Sequence, residues 1–190
     1  MRNEIEAQIR ESIAVKEELL RTQVDTVAKI AELLIGCLRG GGKVLLCGNG
    51  GSAADAQHLA GELVGRFRRE RRALPAIALS VNTSVLTAIG NDYGFDRVFS
   101  RQVEALASRG DVLIGISTSG NSANVLAAFD AAHAVGCRTV AFTGGDGGKM
   151  KRAADLALVV PSSKTWRIQE SHITVGHIVC DLVESAFAEG

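Results

Sequence analysis

A strand-length apolar run that breaks into glycines and re-forms as a helix leaves few folds open, and Val44 to Phe67 does this. Val44–Cys47 enters a turn of Gly48, Asn49, Gly50 and Gly51, and Ser52 opens an alanine-rich helix. Glycines let the backbone turn tightly and approach a ligand closely. The first turn of the helix has backbone N–H groups without internal partners, and the helix dipole adds positive potential there. Strand, glycine turn and helix N-terminus together make an anion site, most often for phosphate. Further along the helix, His58 and Glu62 are four apart on one face, with about 6 Å between their Cβ atoms. The pair is either chemistry beside the bound anion or a helix histidine with its salt partner. Gly48, Gly50 and Ala53 satisfy the dinucleotide fingerprint. That reading also needs an acidic residue at the end of the next strand to hold a ribose. The strand Ala76–Leu79 ends in Ser80, Val81 and Asn82, with no carboxylate.

Further strands alternate with helices. Asp111–Ile116 runs into Ser117, Thr118, Ser119, Gly120, Asn121 and Ser122, and a helix follows over Asn124–Val135. This second strand-to-helix turn carries hydroxyls that donate or accept, and no lysine. It suits a phosphomonoester or sugar hydroxyls rather than a triphosphate, which would want a Walker lysine. Arg138–Phe142 and Leu156–Val160 complete the strands, and a last helix is expected over about Trp166–Ala188. Short links between alternating strands and helices predict a single α/β domain, a three-layer αβα sandwich on a five-stranded parallel sheet. Its ligands sit beyond the carboxyl ends of the strands. Asn82, Thr83 and Ser84 offer caps for a short helix to Ile89, Gly90–Gly94 reads as a turn, and a helix is expected over Asp96–Ala107.

Ahead of the sheet lies a long helix, residues 3 to about 36, stopped by Gly40, Gly41 and Gly42. Leu20, Val24, Val27, Ala31, Leu34 and Leu38 follow a 4-3-4-3-4 spacing, one apolar stripe. The helix either folds back on its own domain or, as its length favours, residues 1–38 form an oligomer interface. Arg66–Arg72, with five arginines and one glutamate, reads as a solvated loop. It lacks the interleaved aromatics of a nucleic-acid surface. The net charge of zero over 190 residues demands neither nucleic acid nor an anionic membrane. Cys37, Cys47, Cys137 and Cys180 show no paired spacing and read as reduced, mostly buried thiols of a cytoplasmic protein. No export signal or membrane-spanning run is apparent.

Five segments now carry a resemblance: Gly48–Ser52, His58 with Glu62, Gly90–Asp92, Ile116–Ser122, and Ile168–His172 with His177. In this order and spacing they resemble the sugar isomerase (SIS) domain family over almost the full length. The likeness is to its branch that converts sedoheptulose 7-phosphate to D-glycero-D-manno-heptose 7-phosphate, toward the heptose of bacterial lipopolysaccharide and related glycans. The resemblance implies a flavodoxin-like fold. It implies that Asn49, Gly50, Gly51, Ser52, Ser117, Thr118, Ser119 and Ser122 hold phosphate and sugar hydroxyls. Asn91, Asp92, Glu62 and Gln169 would also meet the sugar. Glu62 matches the catalytic base and His177 the acid, and His58, Glu62, Gln169 and His177 match a zinc site. The apolar stripe from Leu20 to Leu38, partly exposed on a monomer, predicts a homotetramer built around the N-terminal helices. Some members carry an aspartate three residues before the glutamine, where this chain has Trp166.

Aldose–ketose isomerisation needs a base over two adjacent carbons, an acid on their oxygens and an electrophile. A glutamate, a histidine and zinc can supply these. Two tensions stand. Gln169 and His177 are eight apart, about 12 Å along a helix, and Glu62 is asked to be both ligand and base. His133, near a helix end, reads as structural. His172 reads as a support behind the site or as packing. The alternative reading is a non-enzymatic, tetrameric member of the family that binds the bacterial replication initiator. Glu62 with His177 favours the enzyme.

Overall fold

In the computed structural model, which describes residues 1–188, five strands form one parallel sheet in the order β2-β1-β3-β4-β5. The strands are β1 Val44–Gly48, β2 Ala76–Ala78, β3 Val112–Ile116, β4 Arg138–Gly144 and β5 Leu156–Val160. The helices are α1 Arg2–Arg39, α2 Gly51–Val64, α3 Thr83–Tyr93, α4 Ser100–Leu106, α5 Ala123–Val135, α6 Met150–Ala153 and α7 Thr165–Ser185. β1 and β3 are buried along their whole length, which is why each reads as an unbroken apolar run rather than an alternating one.

The side chains of one strand still alternate between two cores. Val44 and Leu46 of β1 face α1, α2 and α7 with Ile30, Leu34, Leu59 and Val179. Leu45 and Cys47 face α4 and α5 with Phe99, Val103 and Phe129. Register pairs Val44 with Ala76 on one side and with Val112 on the other. Strand order therefore reverses between β1 and β3, and the crevice past their carboxyl ends is the usual ligand position in such sheets.

α2 and α7 lie side by side and run in the same direction. Gly51 meets Gln169, Leu59 meets Gly176, and the loop after α2 meets Glu184. The contact at Gly176 is close enough that a Cβ there would stand 2.6 Å from Leu59 Cδ2.

The stripe on α1 divides. Val27, Ala31, Leu34 and Leu38 are buried on this chain's own sheet, whereas Leu20 and Val24 are 68% and 53% exposed. Ile5, Ile9 and Ile13 are exposed as well. All four cysteines are buried and free.

Three expectations are corrected. Gly90, Asn91 and Asp92 are not a turn but the last turn of α3, which continues to Tyr93 and stops at Gly94, a residue with φ of +87°. The expected helix over Asp96–Ala107 is a 3-10 turn at Phe95–Arg97 followed by α4. The backbone re-aims there because the adjacent Val98 and Phe99 both enter the core. The arginine run is not wholly solvated: Arg71 is buried, because it has a buried acid to meet, Glu184, at 3.5 Å.

Candidate active site

Two loops form the crevice. Gly50 takes φ of +55°, open to glycine, and starts α2; Ser52 is buried in its first turn. Beside it, Ser117 Oγ lies 2.8 Å from Ser122 Oγ and 3.4 Å from Ser119 Oγ. Thr118 stands in the same loop, half-buried and with no side-chain hydrogen bond to the others. A reciprocal amide pair locks the loops to each other: Asn49 Nδ2 donates to Asn124 Oδ1 and Asn124 Nδ2 to Asn49 Oδ1, both at 2.9 Å. Asn49 is thus engaged with α5 as well as facing the crevice. Gln169 rests on Gly51, whose missing side chain leaves the space for its amide. Asn91 and Asp92 are exposed at the end of α3 and bonded to each other, Nδ2 to Oδ1 at 2.8 Å. No hydrogen bond ties them to the two loops.

Beyond the anion loop, α2 and α7 bring three donors together. His58 Nε2 and His177 Nε2 are 2.8 Å apart, their rings edge to face. His58 Nε2 is 3.4 Å from Glu62 Oε1. Two imidazole nitrogens at such a distance share one proton or face one cation, since two N–H groups would collide. Gly176 makes the meeting geometrically feasible by letting the two helices approach. Gly176→Ala should overfill this contact, at a typical cost of about 1–3 kcal/mol. The unfolding temperature should fall by about 2–10 °C. Thermal melts beside turnover would show whether parting His58 from His177 costs activity as well.

The donor set, two imidazole nitrogens and a carboxylate, fits zinc in kind. The edge of a tetrahedron of Zn–N bonds is about 3.3 Å, near the 3.4 Å between His58 and Glu62 and longer than the 2.8 Å between the two imidazoles. Among the described residues no group of three or more His, Cys, Asp or Glu is already arranged as a metal cage. Gln169, the fourth member expected, stands over Gly51 and makes no hydrogen bond to either imidazole.

One carboxylate was missed from the sequence. Asp55 lies three residues before His58 on α2 and lines a small pocket with Trp166, Gln169, Glu170 and Ile173. Its Oδ2 is buried without a hydrogen-bond partner among the described residues. Burial pushes its pKa up, and the nearby His58 and His177 oppose that shift. The signal was the 3-4 spacing of Asp55, His58 and Glu62 along one helical face. Trp166 lines the same pocket, so a carboxylate stands beside that residue.

His172 is buried against Phe142 and lies 3.0 Å by Nε2 from the Thr143 carbonyl. Burial lowers its pKa to about 4, so it is a neutral imidazole that donates this bond near pH 7. It ties α7 to the end of β4. His133 bonds Thr139 Oγ1 at 2.9 Å, away from the crevice.

Known proteins share the fold and much of the sequence. The SIS domain family model matches residues 8–144. The chain belongs to that family. A phosphoheptose isomerase of Clostridium acetobutylicum is 57% identical over 186 residues, 97% of this chain and 95% of that protein. One of Geobacter sulfurreducens is 60% identical over 184 residues, 97% of each. Among solved structures, a phosphoheptose isomerase from Neisseria gonorrhoeae superposes with a TM-score of 0.92 at 51% identity, covering 97% of this chain and 98% of that one. One from Francisella tularensis gives 0.93 at 40% identity, covering 96% and 97%.

Proposed function

We propose that the chain is an aldose–ketose isomerase, a phosphoheptose isomerase, that converts sedoheptulose 7-phosphate to D-glycero-D-manno-heptose 7-phosphate through an enediol. The observation that carries this reading is the meeting of Glu62, His58 and His177 beyond an anion-binding helix start. Relatives at 57% and 60% identity are phosphoheptose isomerases.

The reaction balances on this chain's own groups. The phosphate is held by Asn49, Gly50, Gly51 and Ser52 with the hydroxyls of Ser117, Thr118, Ser119 and Ser122, far from the carbons that react. Glu62 takes a proton from C1, and the electron pair forms the C1–C2 double bond while O2 takes a proton from His177. In return, O1 gives up its proton to His177 and C2 takes one from Glu62. Both residues end as they began, and no oxidant or reductant is consumed. Asn91, Asp92 and Gln169 are assigned to the sugar hydroxyls. His58, Glu62 and His177, with Gln169, are the residues assigned to hold one zinc ion per subunit. When bound, it supplies Lewis acidity or a template. A proton NMR time course with sedoheptulose 7-phosphate tests the reading: anomeric signals of the aldose should grow. Silence with every ketose phosphate tried rejects it and restores the initiator-binding alternative.

The working form is proposed to be a cytoplasmic homotetramer. No helix of the described residues is long and apolar enough to cross a membrane. Leu20 and Val24 of α1 and Ile178 and Leu182 of α7 line one apolar groove, all substantially exposed. Contiguous exposed apolar surface of this kind marks an interface. A second copy of the same helices is the assigned cover, with the crevices near subunit boundaries. Light scattering at micromolar concentration should give four chains per particle, and Leu20→Glu with Val24→Glu should give smaller particles. A stable, active wild-type monomer would end this assignment.

A further inference from the structure

Of the five arginines between Arg66 and Arg72, Arg71 alone is buried. Its guanidinium closes the C-terminal end of α2, where carbonyls lack partners. Nη2 donates to the Glu62 carbonyl at 2.7 Å, and Nη1 to the carbonyls of Gly65 at 2.8 Å and Arg72 at 3.1 Å. Nε lies 3.5 Å from Oε1 of Glu184, and both side chains are almost wholly out of solvent.

Glu184 sits on α7. Its carboxylate accepts three successive backbone N–H groups, from Phe67 at 2.8 Å, Arg68 at 2.6 Å and Arg69 at 2.7 Å. Burial acts to raise its pKa, but these three amides and Arg71 outweigh that and hold the carboxyl below its usual range. Consecutive amides aimed at one carboxylate form an anion nest. The result is a buried ion pair in which the carboxylate is held by three amides and the Arg71 Nη atoms by three carbonyls, while Arg71 Nε faces Glu184 without a hydrogen bond.

Such pairs are weak grounds for stability, because desolvation can cancel the attraction. What this one fixes is more specific. Arg71 grips the backbone of Glu62 itself. The first amide of the nest belongs to Phe67, whose ring is stacked on His177, 5.5 Å between centroids at an interplanar angle of 26°. His177 and Glu184 are seven apart on α7, two turns along one face. The base and the acid of the proposed reaction are thereby tied to one buried pair, one through its carbonyl and the other through a stacked ring.

We infer that Arg71, acting through the Glu62 carbonyl, and Glu184, acting through Phe67, are positioning residues that set Glu62 and His177 at a fixed separation for proton transfer. The inference rests on the isomerase reading above. Misplacement by about 1 Å can cost as much as 10²-fold in rate, so the effect belongs in kcat rather than KM.

The test uses the full chain in its native assembly. Phe67→Leu leaves the buried charges and the serine cradle in place; kcat should fall about 10-fold or more, with KM within about two-fold of wild type. Phe67→Tyr keeps a ring for the stack and should retain wild-type kcat. Hydrogen exchange should show the amides of Phe67, Arg68 and Arg69 protected in wild type and faster in Glu184→Gln, with kcat lowered in that variant too. Should Glu184→Gln not fold, the leucine and tyrosine variants decide alone. Wild-type kcat in Phe67→Leu, equal impairment of both Phe67 variants, or a raised KM at unchanged kcat would overturn the inference. A wild type inactive on every ketose phosphate would overturn the isomerase reading and this inference with it. An active wild type with an indifferent Phe67→Leu would overturn this inference alone.

Discussion

Glu62→Gln is expected to lower kcat by at least about 10²-fold, the usual scale for a lost general base. The substitution keeps the size of the side chain and one oxygen but removes the basic carboxylate. Glu62 lies on α2, whose N-terminus and glycine turn are the proposed anion site, so its position relative to a bound phosphate would be set by one rigid element. Anchoring a remote phosphate to place the reacting carbons turns binding energy into rate. Because the Ser117, Ser119 and Ser122 cradle is untouched, substrate binding should persist in the variant, and calorimetric titration with sedoheptulose 7-phosphate would show it. Solvent deuterium should enter the sugar at the carbon being isomerised with wild type and not with Glu62→Gln. A variant that turned over and exchanged deuterium at near wild-type rates would leave Glu62 a structural or metal-holding residue only.

The sheet was legible because strands buried on both faces must be apolar throughout. Val44–Cys47, Asp111–Ile116 and Leu156–Val160 are each followed by a glycine, serine or proline, and their observed bounds move by one residue at most. The two strand-to-helix turns were legible as well, as glycine and hydroxyl runs between an apolar strand and a helix. The helical end of α3 was not. Gly90 reads as a breaker, yet a single glycine costs a helix only about 1 kcal/mol, and the positive φ that stops α3 falls four residues later, at Gly94.

Contacts between elements distant in sequence were the least legible. Gln169 and His177 look too far apart to share a site when α7 is considered alone. The parallel course of α2 resolves part of that, since Gln169 meets Gly51 while His177 meets His58. It also leaves Gln169 over the anion loop rather than in contact with the imidazoles. Nothing local marks Gly176 as the point of approach to Leu59. Arg71 was hidden among four outward arginines, and Glu184, the acid that draws it inward, is 113 positions away in the chain. Asp55 was visible by spacing, but nothing local marks it as a carboxylate that α7 buries.

His58→Ala and His177→Ala are each expected to abolish zinc retention. Protein purified without chelator should carry about one zinc per chain, and each variant close to none by elemental analysis. The expectation comes from the 2.8 Å between the two Nε2 atoms and the 3.4 Å from His58 Nε2 to Glu62 Oε1. Two imidazole nitrogens and a carboxylate oxygen make a small donor set of the kind zinc takes, and each ligand lost removes a large part of its affinity. The readout does not depend on turnover, so it separates holding the metal from using it. Gln169→Ala divides the site further. If its amide joins the metal, zinc should fall in that variant as well. If it only packs on Gly51, zinc should stay and substrate affinity should fall instead. Zinc content equal to wild type in both histidine variants would reject the metal site while leaving Glu62 as base intact. A chelated, zinc-free preparation with full turnover would confine the metal to a structural part.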